Sequence, residues 1–365
     1  MNPLRRLRQL GQSPWLDDLH RGMLLDGSFQ RLMDEDGICG ITSNPTILAR
    51  ALLETDDYRG AIARLAGEYS DTEALYEALV LEDIRLAADL LRPVYDKTGG
   101  VDGYVSLEIT PELANDTDGS VREAERLWQA IDRPNAMIKI PATAAGLPAI
   151  RTLVERGVNV NATLIFSPAR YRQVAEAWAG GMQARIEAGQ PVAQVASVAS
   201  FFVSRIETLA DQRLAALDDP RAKELQGQVA VAAAKLAYRE FVDLQTRSPA
   251  FSAAAQAGAW LQRPLWASTS TKNPAYADIK YVEALIGPHT VVTLPPETLA
   301  AYRDHGNPQQ RIEDGMAEAA AVFEQLAAVG IDFDELAGQL EAEGVEKFRA
   351  SWQEIMAALD ALRRG

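Results

Sequence analysis

Eight short apolar runs, each bounded by turn residues and separated from the next by a stretch of helical periodicity, set the strongest constraint on this chain. They are PWLDD (14–18), GICGITSNP (37–45), GYVSLEIT (103–110), AMIKIPA (136–142), VNVNATLIF (158–166), VASVASFFV (195–203), RPLWASTS (263–270) and HTVVTLP (289–295). Runs that are apolar throughout, not alternating, suit strands buried on both faces, as in a parallel sheet covered by helices. Eightfold alternation favours a (β/α)8 barrel of TIM type over an open doubly wound sheet, and no glycine-rich dinucleotide loop opens any βα unit. Between the runs, EALYEALVLEDIRLAADLLRPVYD reads as one long amphipathic helix. SVREAERLWQAI carries Ser120 and Glu123 at capping-box spacing, and GLPAIRTLVERG stops at Gly157. Residues 206–260 read as a helical insertion between strands six and seven, and 308–365 as a C-terminal helical extension. No linker composition precedes either, so 1–365 is expected to be a single barrel domain with additions. The C-terminal block could serve a homodimer interface or cover the base of the barrel.

Composition narrows the function classes. The 365 residues are 47% hydrophobic with a net charge of −15, which argues against non-specific binding to nucleic acid or to an anionic membrane. An anionic ligand would need a few local cations set against that field. A single cysteine, Cys39, excludes an intrachain disulfide. No stretch is long and apolar enough to span a bilayer and none resembles a secretory leader, so the expectation is a soluble cytoplasmic protein.

One residue stands out against this background. Lys139 sits inside the apolar run AMIKIPA, and only seven of the 36 basic residues are lysine (97, 139, 223, 235, 272, 280 and 347). Burying an ammonium is costly. In a barrel the active site is built at the C-terminal ends of the strands. The polar residues expected there are Asp17 and Asp18; Thr42, Ser43 and Asn44; Glu108; Lys139; Asn161 and Thr163; Ser200, Ser204 and Arg205; and Ser268, Ser270 and Lys272. Each has a plain alternative: Asp17 or Asp18 as a helix cap, Asn44 as a turn residue before Pro45, Glu108 as a salt-bridge partner of Lys139, Thr163 as a β-former. Together, a lysine, an aspartate and a glutamate converging on one pocket fit Schiff-base chemistry. A desolvated amine attacks a carbonyl, the protonated imine acts as an electron sink, and carboxylates move the protons. His20, His289 and His305 have no metal-ligand spacing, and the strand ends offer no histidine for a Ser-His-Asp arrangement.

Five motifs in order, GITSNPTIL (40–48), MIKIPATAAGL (137–147), NATLIFS (161–167), ASFFVSRI (199–206) and WASTSTKNPAY (266–276), resemble the transaldolase family. The length resembles its longer bacterial type. The resemblance implies a class I aldolase barrel without metal or organic cofactor. Its substrates would be sugar phosphates: a dihydroxyacetone unit passes from sedoheptulose 7-phosphate or fructose 6-phosphate to an aldose phosphate, in the pentose phosphate pathway. It implies Lys139 as the Schiff-base lysine, Asp17 as the acid/base group, and Glu108 with Thr163 as holders of a proton-relay water. Asn44 would meet substrate hydroxyls, Ser200 and Arg205 would bind substrate and phosphate, and Phe202 would be a wall of the pocket; Asn161, from its place at a strand end, is a further substrate-binding candidate. Ser268 aligns with the serine of a family run A-S-F-R/K, but ASTSTKNP here is longer, which leaves Lys272 or a neighbouring backbone group in place of the second phosphate cation. The alternatives are a related aldolase that releases free dihydroxyacetone, and a non-catalytic barrel in which Lys139 is only salt-bridged.

Overall fold

A computed structural model describes residues 2–364. Each apolar run contributes one strand: β1 Gln12–Leu16, β2 Gly40–Thr42, β3 Tyr104–Glu108, β4 Ala136–Pro141, β5 Val160–Ile165, β6 Ser197–Phe202, β7 Arg263–Ala267 and β8 Thr290–Leu294. They close in sequence order, β1 pairing with both β2 and β8, and every pairing is parallel. The chain is therefore the eight-stranded parallel barrel that the alternation of strand and helix requires. All strand residues except Glu108 and Arg263 are buried, because helices cover the outer face and side chains fill the inner one.

Strand limits are set by local backbone demands. The second run shrinks to Gly40–Thr42. Gly37, at φ 75°, terminates the short helical turn Leu32–Asp36 before it, and Asn44 caps the helix Pro45–Glu54 after it. A Cβ on Gly40 would lie 2.5 Å from the Trp15 indole, so glycine is what lets β2 close on β1. One local expectation is corrected. Ser120 is not a helix cap: the helix Thr117–Ile131 starts earlier, Asp116 accepts the Gly119 N–H at 3.0 Å, and Ser120 donates its hydroxyl to Leu113 O. Aspartate at that position satisfies an otherwise orphan amide as well as serine would.

The two ends of the barrel differ in character. At the N-terminal end, Asp102 accepts from Ser13 Oγ at 2.8 Å, Trp15 Nε1 at 3.3 Å and Arg263 Nη2 at 3.0 Å, a hydrogen-bonded polar cluster. At mid-height, Ser200 Oγ donates to Asn161 Oδ1 at 2.7 Å, and Asn161 Nδ2 donates to Ser106 Oγ at 3.1 Å. These hydrogen bonds tie β3, β5 and β6 together beneath the C-terminal face. Four helices, Ser204–Ala215, Pro220–Leu225, Val229–Arg247 and Pro249–Gln256, separate β6 from β7. The C-terminal helix, Phe333–Arg364, runs over the C-terminal face and not the base: its Lys347 and Trp352 line the cavities that open there. No helix among the described residues is long and apolar enough to cross a membrane.

Candidate active site

Lys139 is the fourth residue of β4 and points into the barrel, where only 6% of its side chain is exposed. Its Nζ donates to Ser43 O at 3.0 Å and lies 3.3 Å from Glu108 Oε2. The register explains the pairing, since Glu108 is the cross-strand neighbour of Lys139. Neither Glu108 oxygen accepts a well-aligned hydrogen bond, so the Lys139 ammonium is its counter-charge through proximity. Burial raises the Glu108 carboxyl pKa, and Lys139 opposes the rise.

Asp17 and Asp18 divide as the strand geometry dictates. Asp17 follows the last residue of β1 and faces the pocket, where it accepts the Thr42 hydroxyl at 2.8 Å. It keeps some surface open to the pocket but is ringed by protein. That enclosure raises its carboxyl pKa, again against the pull of Lys139. Asp18 turns away to Arg50 at 2.8 Å.

The pocket, about 190 Å³, is lined by Asp17, Asn44, Lys139, Thr163, Ser200, Phe202, Arg205, Ser268 and Lys272, all expected from sequence. The Asn44 side-chain oxygen accepts the Ile47 N–H at 3.0 Å, so its amide N–H2 is the end left for a ligand. Thr163 reaches the pocket beside a β-bulge: Ala162 faces Ala199 and Ile165 faces Phe201, one residue more on β5 than on β6, with Leu164 at φ 60°. Ser268 also holds a positive φ, 56°, which ends β7 and turns its hydroxyl toward Ser204 Oγ at 2.8 Å. Such backbone is sparsely populated outside glycine and tends to cluster at functional sites.

Two expected residues stand apart. Asn161 does not reach the pocket: it is fully buried one layer below, and both ends of its amide are engaged by Ser106 and Ser200. Glu108 lies on the far side of Lys139, bordering a larger cavity of about 540 Å³ that includes Leu48, Tyr76, Leu81 and Trp352. That cavity is mostly apolar and is lined by neither Lys139 nor Asp17, so the smaller one is the candidate active site. Sequence reasoning missed Arg50, Glu297 and Lys347, which also line the pocket. Only Lys347 carried a usable sign, as one of few lysines.

The fold and this constellation define a class: a (β/α)8 barrel with a buried lysine and two carboxylates at the C-terminal strand ends. A family model described as Transaldolase/Fructose-6-phosphate aldolase matches residues 14–359. A transaldolase of Thiobacillus denitrificans is 46% identical over 359 residues, spanning 98% of this chain and 100% of that protein. A transaldolase of Mycobacterium tuberculosis is 46% identical over 357 residues (97% and 96%), and one of Mycobacterium marinum 45% over 369 residues (100% and 99%). The chain belongs to the transaldolase/fructose-6-phosphate aldolase family.

Proposed function

We propose that this protein is a transaldolase, a transferase that moves a dihydroxyacetone unit between sugar phosphates through a lysine Schiff base. The observation that carries the reading is Lys139 Nζ, buried 3.3 Å from Glu108 and sharing its pocket with Asp17, in a chain about 46% identical to transaldolases along its whole length.

Lys139 passes its ammonium proton to Glu108, 3.3 Å away, and the neutral amine then attacks the ketose carbonyl carbon. The resulting carbinolamine loses water to give the protonated imine, with Glu108 and Thr163 placed to pass protons during that loss. Both Glu108 oxygens and Thr163 Oγ1 are buried without a hydrogen-bond partner among the described residues, which leaves them free for this work. Asp17, held by Thr42, takes the proton of the hydroxyl next to the breaking carbon–carbon bond. The aldose phosphate departs, and the bond's electron pair moves into the iminium to leave an enamine. An incoming aldose phosphate reverses these steps: the enamine attacks its aldehyde, Asp17 returns the proton to the new hydroxyl, and hydrolysis frees Lys139. The raised carboxyl pKa of Asp17 favours a group that both takes and returns a proton. Asn44, through its free amide N–H2, hydrogen-bonds sugar hydroxyls, Ser200 and Ser268 add further polar contacts, and Phe202 walls the pocket.

The reading extends to a cytoplasmic protein of the pentose phosphate pathway, acting as one barrel domain. The test is carbon exchange between fructose 6-phosphate and erythrose 4-phosphate. Stoichiometric formation of sedoheptulose 7-phosphate and glyceraldehyde 3-phosphate is expected. Steady release of free dihydroxyacetone without an acceptor would instead make the protein an aldolase.

A further inference from the structure

Besides Lys139, Glu297 and Arg50, which is paired with Asp18, the pocket is lined by three cations drawn from three separate parts of the chain. Arg205 lies at the start of the helix after β6, Lys272 in the loop after β7, and Lys347 on the C-terminal helix. Among the described residues, Arg205 and Lys347 have neither an ion pair nor a hydrogen bond, and Lys272 has only the Ser270 hydroxyl at 2.6 Å. In a chain of net charge −15, where most arginines lie against carboxylates, three unpaired cations around one opening need a reason. They also repel one another: Arg205 and Lys272 both push the Lys347 pKa down, in addition to its partial burial.

The C-terminal helix is fixed over this opening by packing. The Arg205 guanidinium carbon lies 5.1 Å from the Phe202 ring centre and 5.9 Å from that of Phe348, one residue beyond Lys347. A Cβ on Gly344 would come within 3.0 Å of Leu164 Cδ2, so glycine lets the helix lie close against the end of β5, beside Arg205. Arg205 is thus sandwiched between barrel and helix, and the next helical position toward the pocket presents the Lys347 ammonium at its rim.

We infer that Lys347 is a substrate-binding residue, the third cation of a phosphoryl subsite shared with Arg205 and Lys272, so that the C-terminal helix takes part in holding the sugar phosphate. The inference rests on the transaldolase reading for the identity of the ligand, and on geometry alone for the anion site. A phosphoryl dianion placed among the three would replace mutual repulsion with charge-assisted hydrogen bonds, which are stronger than neutral ones. Two lysines acting as point charges beside one planar guanidinium suit an anion with three equivalent oxygens.

The test uses the full-length protein, with Lys347→Met to keep the apolar stem and Lys347→Arg to keep the charge. Binding of inorganic phosphate is followed by titration calorimetry, and KM and kcat for fructose 6-phosphate are measured with erythrose 4-phosphate as acceptor. Lys347→Met is expected to melt no lower than the parent, to bind phosphate about tenfold more weakly and to raise KM by a similar factor, with kcat within a few-fold. Lys347→Arg should recover most of both. Unchanged phosphate affinity and KM in folded Lys347→Met would overturn the inference. If the parent protein transfers no carbon yet its phosphate binding depends on Lys347, the anion site stands and the transaldolase reading falls.

Discussion

Lys139 and Glu108 form a buried ion pair whose two halves can be removed separately. At 3.3 Å, with both side chains about 5% exposed, an effective dielectric constant near 20 gives a gross attraction of about 5 kcal/mol. Desolvation offsets much of this, so the net worth of the pair is small, while the cost of breaking it is not. Lys139→Met strands Glu108, and Asp17 with it, in a site that already disfavours their charged forms. Glu108→Gln strands the ammonium. Each single change is expected to cost about 3–5 kcal/mol and the double change far less, giving a coupling of about 3 kcal/mol or more. Urea unfolding of the four proteins, compared at constant m, measures it.

The pH dependence carries a sign. Burial holds the Asp17 and Glu108 carboxyl pKa values above their ordinary range, and Lys139 limits the rise. Without Lys139 they rise further. A carboxyl raised in the folded state contributes stability that is present below its unfolded pKa and lost as pH climbs through the folded value. The Lys139→Met deficit should therefore be largest at neutral pH and shrink as pH falls toward about 4. Single-mutant costs that add within about 0.5 kcal/mol, or a deficit that grows in acid, would refute this account of the pair.

Two further outcomes follow from the site. Asp17→Asn keeps the shape that accepts the Thr42 hydroxyl but cannot take a proton, so kcat should fall by about 10²- to 10⁴-fold while borohydride still traps the imine on Lys139. Gly146→Ala would place a Cβ 1.8 Å from Pro141 O, at the end of the strand that carries Lys139. Because the clash is with backbone, that variant should lose at least about 3 kcal/mol in urea titration, whereas Gly60→Ala, with nothing within 4 Å, should not.

The parts of this molecule that sequence made legible are those fixed by local periodicity. β4 was expected over 136–142 and spans Ala136–Pro141, and the lysine inside it lines the pocket. β7 was expected through Ser270 and ends at Ala267, because Ser268 takes a left-handed conformation that a run of small polar residues does not announce. Asn161 was placed one layer too high: it lies two residues before Thr163 on the same face of β5, and Thr163 is the side chain that reaches the pocket. Lys347 was out of reach. Its place over the mouth depends on the C-terminal helix packing across the barrel through Phe348 and Gly344, a contact between segments more than 100 residues apart in sequence. Which of Asp17 and Asp18 faces the pocket is legible only from their partners, Thr42 for the first and Arg50 for the second.

The central claim is that the Lys139 amine becomes covalently bound to the substrate's three-carbon unit. Mixing the protein with fructose 6-phosphate, adding borohydride and taking an intact mass followed by peptide mapping tests it most directly. The account predicts one adduct with the mass of reduced dihydroxyacetone, on the peptide containing Lys139 and absent from Lys139→Met. An active, folded protein that yields no adduct, or carries it on another lysine, would contradict it.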